Sequence, residues 1–218
     1  MDRRRFLAGA GALGTTALAG CTGGGGGDGA SGTPIAGHPA GADLDAQPRL
    51  GDAEETVIVA FEDPSCTLCR RFERETYPRI VSDLVEPGTA SFVYRGLPII
   101  YPWGDPAAHV LEATFAADAD AFWALKDHYY AEQGAFDESN VYERSRAFLD
   151  GETSVDADAV VSAAEGGEAD AAVQADLDAG GALDVGQTPV FYLFRDGRYE
   201  TTVRGAQGYS VFATALEG

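Results

Sequence analysis

The most constraining feature of the sequence is a pair of cysteines, two residues apart, that directly follows a buried strand. Residues 56–61 form a continuous β-branched and apolar run, which is typical of a strand covered on both faces. The run stops at a turn whose Asp63 or Ser65 can cap a helix that begins near Cys66. The sequence therefore predicts that Cys66 and Cys69 lie in the first turn of a helix at the end of a strand.

This position favours thiolate chemistry at the first cysteine. A thiol at a helix N-terminus faces the positive end of the helix dipole and unpaired backbone N–H groups, which lower its pKa. Cys66 is therefore the predicted nucleophile, and Cys69 is placed to resolve a mixed disulfide or to close the pair. Arg70, Arg71 and Arg74 follow at once and are candidates to favour the thiolate, although a solvated basic helix face explains them at least as well.

Two other uses of the cysteine pair are open. A structural zinc site needs four ligands, and His109 and His128 could complete it, but their separation of 19 residues is unlike that of zinc fingers. A structural disulfide is the second alternative, but cysteines separated by only two residues close a small, strained ring that is more often redox-active. We therefore predict a redox pair, with no bound metal and no cofactor.

The rest of the pattern predicts one α/β domain. A helical segment follows the cysteines to residue 84, with Pro78 kinking or dividing it, and a second strand covers 90–95. A hairpin with an Asp-Gly turn joins strands near 189–194 and 199–203, and a helix at 209–216 closes the chain. Between the second strand and the hairpin lie further predicted helices, the last of which Gly180 and Gly181 should end: 107–117, 121–131, 141–149, 157–164 and 168–179.

The N-terminus has the layout of an export signal. Three arginines precede a short apolar run that ends in Leu-Ala-Gly-Cys at Cys21, and this run is too short to span a bilayer. The arginines followed by Phe-Leu resemble a twin-arginine signal over 1–20, and the last four residues resemble a lipobox, which implies a lipid on Cys21. An ordinary cleaved signal with an incidental Cys21 is the alternative. Residues 21–50 are predicted to be a flexible Gly/Ala/Asp-rich tether, leaving 51–218 as the folded domain.

Charge excludes some classes of partner. Asp and Glu number 35 against 15 Lys and Arg, so the net charge is −20, and it becomes −22 without residues 1–20. Such a chain neither binds nucleic acid by neutralising phosphates over a broad surface nor adheres electrostatically to anionic lipid. The acidic excess resembles the composition of proteins from extreme halophiles, whose carboxylates keep the surface hydrated in concentrated salt.

The order of these features resembles the thioredoxin fold. A strand, a Cys-x-x-Cys helix start, a later Thr-Pro before a strand, and a final hairpin and helix all fit it, and the helical insertion at about 104–180 resembles the DsbA-like, disulfide-forming branch. The segment 186–191 is similar to the Gly-x-Thr-Pro-x-Phe segment of that branch. The resemblance implies that Pro189 is cis and packs beside the disulfide, and that the backbone of Thr188 pairs with an extended substrate peptide.

Two positions depart from the family pattern. Thr67 and Leu68 stand where the strongest oxidants carry Pro-His, so we expect a less oxidising pair. Ala60 stands where many thioredoxin-fold enzymes bury a carboxylate that takes the proton of the second thiol, so either Glu62 or a water serves instead or the proton transfer is slower.

The resemblance implies an extracytoplasmic thiol-disulfide oxidoreductase. It would exchange disulfides with exported proteins, be anchored to the membrane through its lipid, and depend on a membrane redox partner. A reductase or isomerase working in the opposite direction, for example in cytochrome maturation, is the second hypothesis. A binding or metal-carrying module without catalytic activity is the third.

Overall fold

The centre of the molecule is a five-stranded mixed sheet. The computed structural model describes residues 32–217, so the predicted signal and Cys21 lie outside the described residues. The strand order is β1-β3-β2-β4-β5, in which β2 lies parallel to β3 and antiparallel to β4. The strands are β1 Arg49–Leu50, β2 Val57–Glu62, β3 Ser91–Gly96, β4 Val190–Arg195 and β5 Arg198–Arg204.

Strand β2 lies at the middle of the sheet, as its apolar run predicts. All six of its residues are buried, because helices or the N-terminal segment cover both faces of the sheet. The hairpin of β4 and β5 is also confirmed, and its turn places Asp196 and Gly197 at φ values of 53° and 68°. This left-handed pair suits the twist of a two-residue hairpin turn.

Eight α-helices surround the sheet in the described part of the chain. The predicted segment up to residue 84 is divided near Pro78: α1 ends at Glu75, and a short helix and a π-helical turn, Val81–Val85, follow it. The helices are α1 Thr67–Glu75, α2 Tyr77–Ile80, α3 Gly104–Ala117, α4 Ala119–Ala131, α5 Val141–Glu152, α6 Ala157–Glu165, α7 Asp170–Ala182 and α8 Tyr209–Glu217.

Helices α3 to α7 form the helical insertion between β3 and β4, which confirms the predicted fold class. The predicted end of the last insertion helix is wrong, because α7 continues through Gly180 and Gly181 to Ala182. A Cβ atom on Gly180 would lie 2.7 Å from Cδ1 of Leu97. Gly180 therefore lets the helix approach the loop after β3 closely.

The predicted tether is wrong for residues 32–50, and the folded domain begins before residue 51. The amide of Gly32 donates to the carbonyl of Tyr199 at 2.8 Å. His38 is buried, with its ring stacked 4.8 Å from that of Tyr199, and β1 pairs with β3. Backbone hydrogen bonds and the buried ring of His38 hold this segment in place. Its low apolar content therefore gave no indication that it is ordered. Residues 21–31 of the predicted tether lie outside the described residues.

No helix within residues 32–217 combines the length and the apolar character needed to cross a bilayer.

Candidate redox site

The two cysteines lie where β2 passes into α1. Cys66 is the N-cap of α1, and its Sγ accepts a hydrogen bond from the amide of Cys69 at 3.4 Å. Both thiols are free; Cys66 is 4% exposed and Cys69 is fully buried. The proposed cap by Asp63 or Ser65 is wrong, because the sulfur of Cys66 itself takes that place.

Hydrogen bonds lower the pKa of Cys66 to about 6. The largest contribution comes from the side chain of Cys69, and the side chain of Thr188 and the amides of Cys69 and Leu68 add to it, while burial opposes them. Neutral donors thus stabilise the thiolate. The sequence predicts a lowered pKa from the helix dipole and backbone N–H groups, but the largest contribution comes from the thiol of Cys69 and the backbone amides contribute less.

Cys69 is shifted in the opposite direction. Burial raises its pKa well above the usual range, and so do its hydrogen bond to the sulfur of Cys66 and the negative charge of Glu62. At neutral pH the reduced pair therefore contains a thiolate at Cys66 and a thiol at Cys69.

The Thr-Pro segment meets the cysteines across the sheet. The Thr188–Pro189 peptide bond is cis, which confirms the expectation from the family resemblance. In its protonated form, the thiol of Cys66 donates to the carbonyl of Thr188 at 3.3 Å. Thr188 is itself buried, and Pro189 leads directly into β4. Residues 122 positions apart thus form one surface around the sulfur.

Gln133 supports the turn before Cys66 and was missed by sequence reasoning. Its side-chain amide donates to the carbonyl of Pro64 at 2.7 Å and to that of Cys66 at 2.9 Å. Gln133 begins a short 3-10 helix, Gln133–Ala135, after α4 in the helical insertion, and no local sequence signal marks it.

Asp63 connects the cysteine turn to an apolar loop. Its Oδ1 accepts from the amide and the hydroxyl of Ser65, and its Oδ2 accepts from the amides of Ile99 and Ile100 at 2.9 and 2.8 Å. The hydroxyl of Ser65 accepts from the amide of Tyr101. Together with Leu68, this loop exposes large apolar side chains beside the reactive pair: Leu68, Ile99, Ile100 and Tyr101.

Three ionisable side chains are buried and interact with one another, and Glu62 among them acts on Cys69. Glu62, at the end of β2, has no hydrogen-bond partner for either carboxylate oxygen. Glu73 on α1 pairs with Lys126 on α4, with 2.5 Å between Oε2 and Nζ. Burial, and next the charge of Glu73, raise the pKa of Glu62 well above its usual range. Sequence reasoning named Glu62 as a candidate but missed Glu73 and Lys126.

The arginines after the pair are turned towards backbone carbonyls. Arg70 donates to the carbonyl of Ala131 at 3.3 Å, and Arg71 donates to that of Ala206 at 2.8 Å. Neither is among the leading causes of the low pKa of Cys66. They connect α1 to the end of α4 and to the loop after β5.

The structure offers no support for the alternative zinc site. His109 faces Asp105 and Asp170, and His128 stacks on Phe148 with 4.1 Å between the ring centres. Within residues 32–217, no group of three or more His, Cys, Asp or Glu side chains is arranged to hold a metal ion.

Comparison with known proteins gives one family and several relatives. A family model described as thioredoxin matches residues 44–206. A probable disulfide bond formation protein D of Bacillus cereus is 30% identical over 88 residues, which are 40% of this chain and 41% of the relative. Disulfide bond formation protein D of Bacillus subtilis is 26% identical over 100 residues, 45% of this chain and 44% of the relative. The chain thus matches less than half the length of these curated relatives.

Solved structures share the fold over most of the chain. Oxidised BdbD from Bacillus subtilis superposes with a TM-score of 0.72 at 20% identity, covering 86% of this chain and 98% of BdbD. A double cysteine-to-alanine variant of α-DsbA1 from Wolbachia pipientis gives a TM-score of 0.67 at 18% identity, covering 82% and 92% of the two chains.

Proposed function

The chain belongs to the thioredoxin family, and on this premise we propose that it is a thiol-disulfide oxidoreductase that forms or exchanges disulfides in exported proteins through Cys66 and Cys69. The observation that carries the proposal is the opposite shift of the two thiols: the pKa of Cys66 is lowered to about 6, whereas that of Cys69 is raised. The sulfur of Cys66 can attack or leave as a thiolate, whereas Cys69 stays protonated until it resolves a mixed disulfide.

In the oxidising direction, a substrate thiolate attacks Sγ of Cys66 in the Cys66–Cys69 disulfide. The bond between the two cysteines breaks, and Cys69 leaves as a thiolate and takes up a proton. A second substrate thiolate then attacks the substrate sulfur of the mixed disulfide, so Cys66 leaves as a stable thiolate. The substrate has lost two electrons, and a membrane redox partner removes them from the reduced pair. Thr188 and Pro189 line the sulfur and bind the substrate backbone.

The extent to which the pKa of Cys66 is lowered sets the expected redox direction of the pair. A pKa of about 6 at Cys66 lies between those of free cysteine, about 8.5, and of strongly oxidising DsbA, about 3.5. A stabilised thiolate favours the reduced form, so the pair should be more oxidising than thioredoxin, at about −270 mV, and less so than DsbA, at about −120 mV. A measured potential near that of thioredoxin would favour the reductase or isomerase alternative.

Replacement of each cysteine tests the function. With Cys66→Ser, oxidation of a reduced, unfolded ribonuclease should cease. With Cys69→Ser, the protein should accumulate a mixed disulfide at Cys66 that a reductant releases. If Cys66→Ser binds partners normally and no thiol turnover is lost relative to the wild type, the chain is a binding module and the proposal fails.

We also propose that the protein acts outside the cytoplasm. The twin-arginine pattern in residues 1–20 and the lipobox before Cys21 support export and lipid attachment, with the described domain held at the outer face of the membrane. The acidic surface suits a salty exterior. Expression of the full chain tests this, because Cys21→Ser should move the protein from the membrane fraction to the medium; an unchanged membrane fraction contradicts the lipid anchor.

A further inference from the structure

A groove with an excess of positive charge lies beside the redox pair of this acidic protein. Its volume is about 410 Å³, and five residues of α1 line it: Thr67, Arg70, Arg71, Arg74 and Glu75. The spacing of three, four and seven residues after Thr67 places the arginines on one side of the helix. Since Thr67 directly follows the nucleophile, this basic face begins at the reactive sulfur. The chain as a whole carries a net charge of −20.

We propose that the basic face, which comprises Arg70, Arg71 and Arg74, binds carboxylate side chains of the substrate protein. The enzyme then favours cysteines that have Asp or Glu nearby in the sequence. This inference rests on the proposed thiol-disulfide activity and names the class of substrate that the site selects.

The three arginines have no carboxylate partner in the part of the chain that the structure describes. No ion pair within residues 32–217 includes them. Glu75 stands four residues after Arg71, at a spacing that often pairs charges on a helix, yet the two do not pair. By contrast, Arg79 binds Asp83 at the same spacing, with 2.9 Å between Nη2 and Oδ2. The basic face therefore keeps its charge available for a partner.

Two of the guanidinium groups are held in place by backbone carbonyls. Nη2 of Arg70 donates to the carbonyl of Ala131, and Nη2 of Arg71 donates to that of Ala206. A guanidinium group has five N–H donors, so each retains others for a ligand. The Nε of Arg70 is buried and has no hydrogen-bond partner. Anchoring to neutral carbonyls limits the entropy that these side chains lose on binding a carboxylate, and it leaves their charge intact.

The spacing along α1 suits an extended peptide that reacts at Cys66. Arg70 and Arg74 lie about 6 and 12 Å beyond Cys66 along the helix axis, at about 1.5 Å per residue. An extended chain advances about 3.3 Å per residue. Carboxylates about two to four residues from the substrate cysteine therefore reach the basic face. The proposed backbone pairing at Thr188 holds the peptide extended in this position.

The charge of the rest of the protein narrows the kind of partner. Nucleic acid and anionic membranes extend beyond the groove, where the net charge of −20 repels them. A short peptide segment with a few carboxylates meets mainly the local positive charge, because more distant charges are screened by salt. The planar fork of a guanidinium group also matches the two oxygens of a carboxylate.

Single-turnover reduction of the oxidised protein by three synthetic peptides tests the proposal. Each peptide carries one cysteine, with glutamate, glutamine or lysine placed two to four residues away on both sides. Rate constants are expressed per thiolate from the measured pKa of each peptide thiol, because flanking charges also shift that pKa. In about 0.15 M salt, the glutamate peptide should react at least about threefold faster than the glutamine peptide, as expected of two or three exposed ion pairs.

Variants of the arginines should change this rate ratio. Arg71→Gln combined with Arg74→Gln should bring it to about one, whereas Arg74→Lys, which keeps the charge, should retain most of it. Arg74→Gln alone breaks neither carbonyl contact and should lower the ratio partway. A ratio between two peptides is used because a general loss of activity in a variant cancels from it.

Arg198→Gln is the matched control. Arg198 is exposed and donates to a backbone carbonyl, that of Gly32, as Arg71 does to Ala206. It lies near the turn between β4 and β5, which is at the end of the sheet opposite the cysteines. The variant removes the same charge from the protein, and the rate ratio should equal that of the wild type.

The outcomes separate the basic face from the enzymatic function. If none of the peptides reduces the wild-type protein, the proposed function itself fails. If all three react at the same rate per thiolate, or if the double variant keeps the wild-type ratio, the enzyme is active but the basic face does not select its substrates. The ratio should also approach one as salt rises to about 1 M, where the Debye length is about 3 Å. A preference independent of salt would mean that the glutamates act through shape, and would overturn the proposal.

Discussion

The surroundings of Cys66 and those of Cys69, three residues apart, shift the pKa of their thiols in opposite directions. Around Cys66, which is 4% exposed, neutral donors stabilise a thiolate, and no ionised group is among the leading causes of its lowered pKa. Around Cys69, burial, the hydrogen bond with Cys66 and the charge of Glu62 favour the uncharged thiol. Since the two cysteines lie in the same turn of α1, the helix alone does not explain their difference. The groups that surround each sulfur set its reactivity.

Mutation of the buried ion pair between Glu73 and Lys126 should change the free energy of unfolding most strongly. Lys126→Met removes the partner of Glu73 and leaves a buried carboxylate without a counter-charge. We expect the free energy of unfolding to fall by about 3–5 kcal/mol, as for other broken buried ion pairs, measured by denaturant titration.

A double variant provides the control for this prediction. Adding Glu73→Gln to Lys126→Met removes the unpaired charge, so a large part of the lost stability should return. A loss below about 1 kcal/mol in the single variant would mean that the pair behaves as an exposed one.

The side of Cys66 should make the stability of the reduced protein depend on pH. The folded pKa of about 6 lies below the unfolded value of about 8.5, so between them the folded state holds fewer protons, and its stability rises with pH. The gain is complete above about pH 8.5 and is lost as pH falls through 6, with a slope of at most about 1.4 kcal/mol per pH unit. Denaturant titrations of the reduced protein and of the oxidised one, which has no thiol to titrate, should diverge in this window; parallel curves would contradict the lowered pKa.

Thr188→Val tests one donor to the thiolate with almost no change of shape. We expect the pKa of Cys66 to rise by up to about one unit, because the side chain of Thr188, whose hydroxyl has no other hydrogen-bond partner, is one of the groups that lower this pKa. The rate of iodoacetamide alkylation against pH measures this shift. An unchanged midpoint would leave the Cys69 thiol and the helix amides as the source of the lowered pKa.

The arginines should give the smallest effect. Arg70→Gln and Arg71→Gln remove one half-buried and one exposed charge, which are bound to the carbonyls of Ala131 and Ala206. We expect each to raise the pKa of Cys66 by less than about 0.3 units, since exposed charges are screened by solvent and salt. A shift as large as that of Thr188→Val would restore the arginines as the main tuning groups.

Features that depend on neighbouring residues were readable from the sequence. The buried strand before Cys66, the helix start at the cysteines and the division near Pro78 follow from hydrophobic runs and backbone preferences within a few residues. The cis bond before Pro189 came from the family resemblance of a short motif. For the strand, the helix start and the division near Pro78, the physical cause lies within the segment itself.

Features that depend on distant segments were not readable. Residues 32–50 look like a linker, yet β1 and His38 are held by partners in β3 and β5. Gly180 was predicted to end a helix, but its lack of a side chain instead allows the side chain of Leu97 to pack closely against α7.

The chemistry of the pair divides in the same way. A helix N-terminus lowers the pKa of a cysteine wherever it occurs, so the pattern of residues was enough to single out Cys66 as the nucleophile. The high pKa of Cys69 and its charged surroundings required β2, α1 and α4 to pack together, because only then do Glu62, Glu73 and Lys126 leave water and interact at short range.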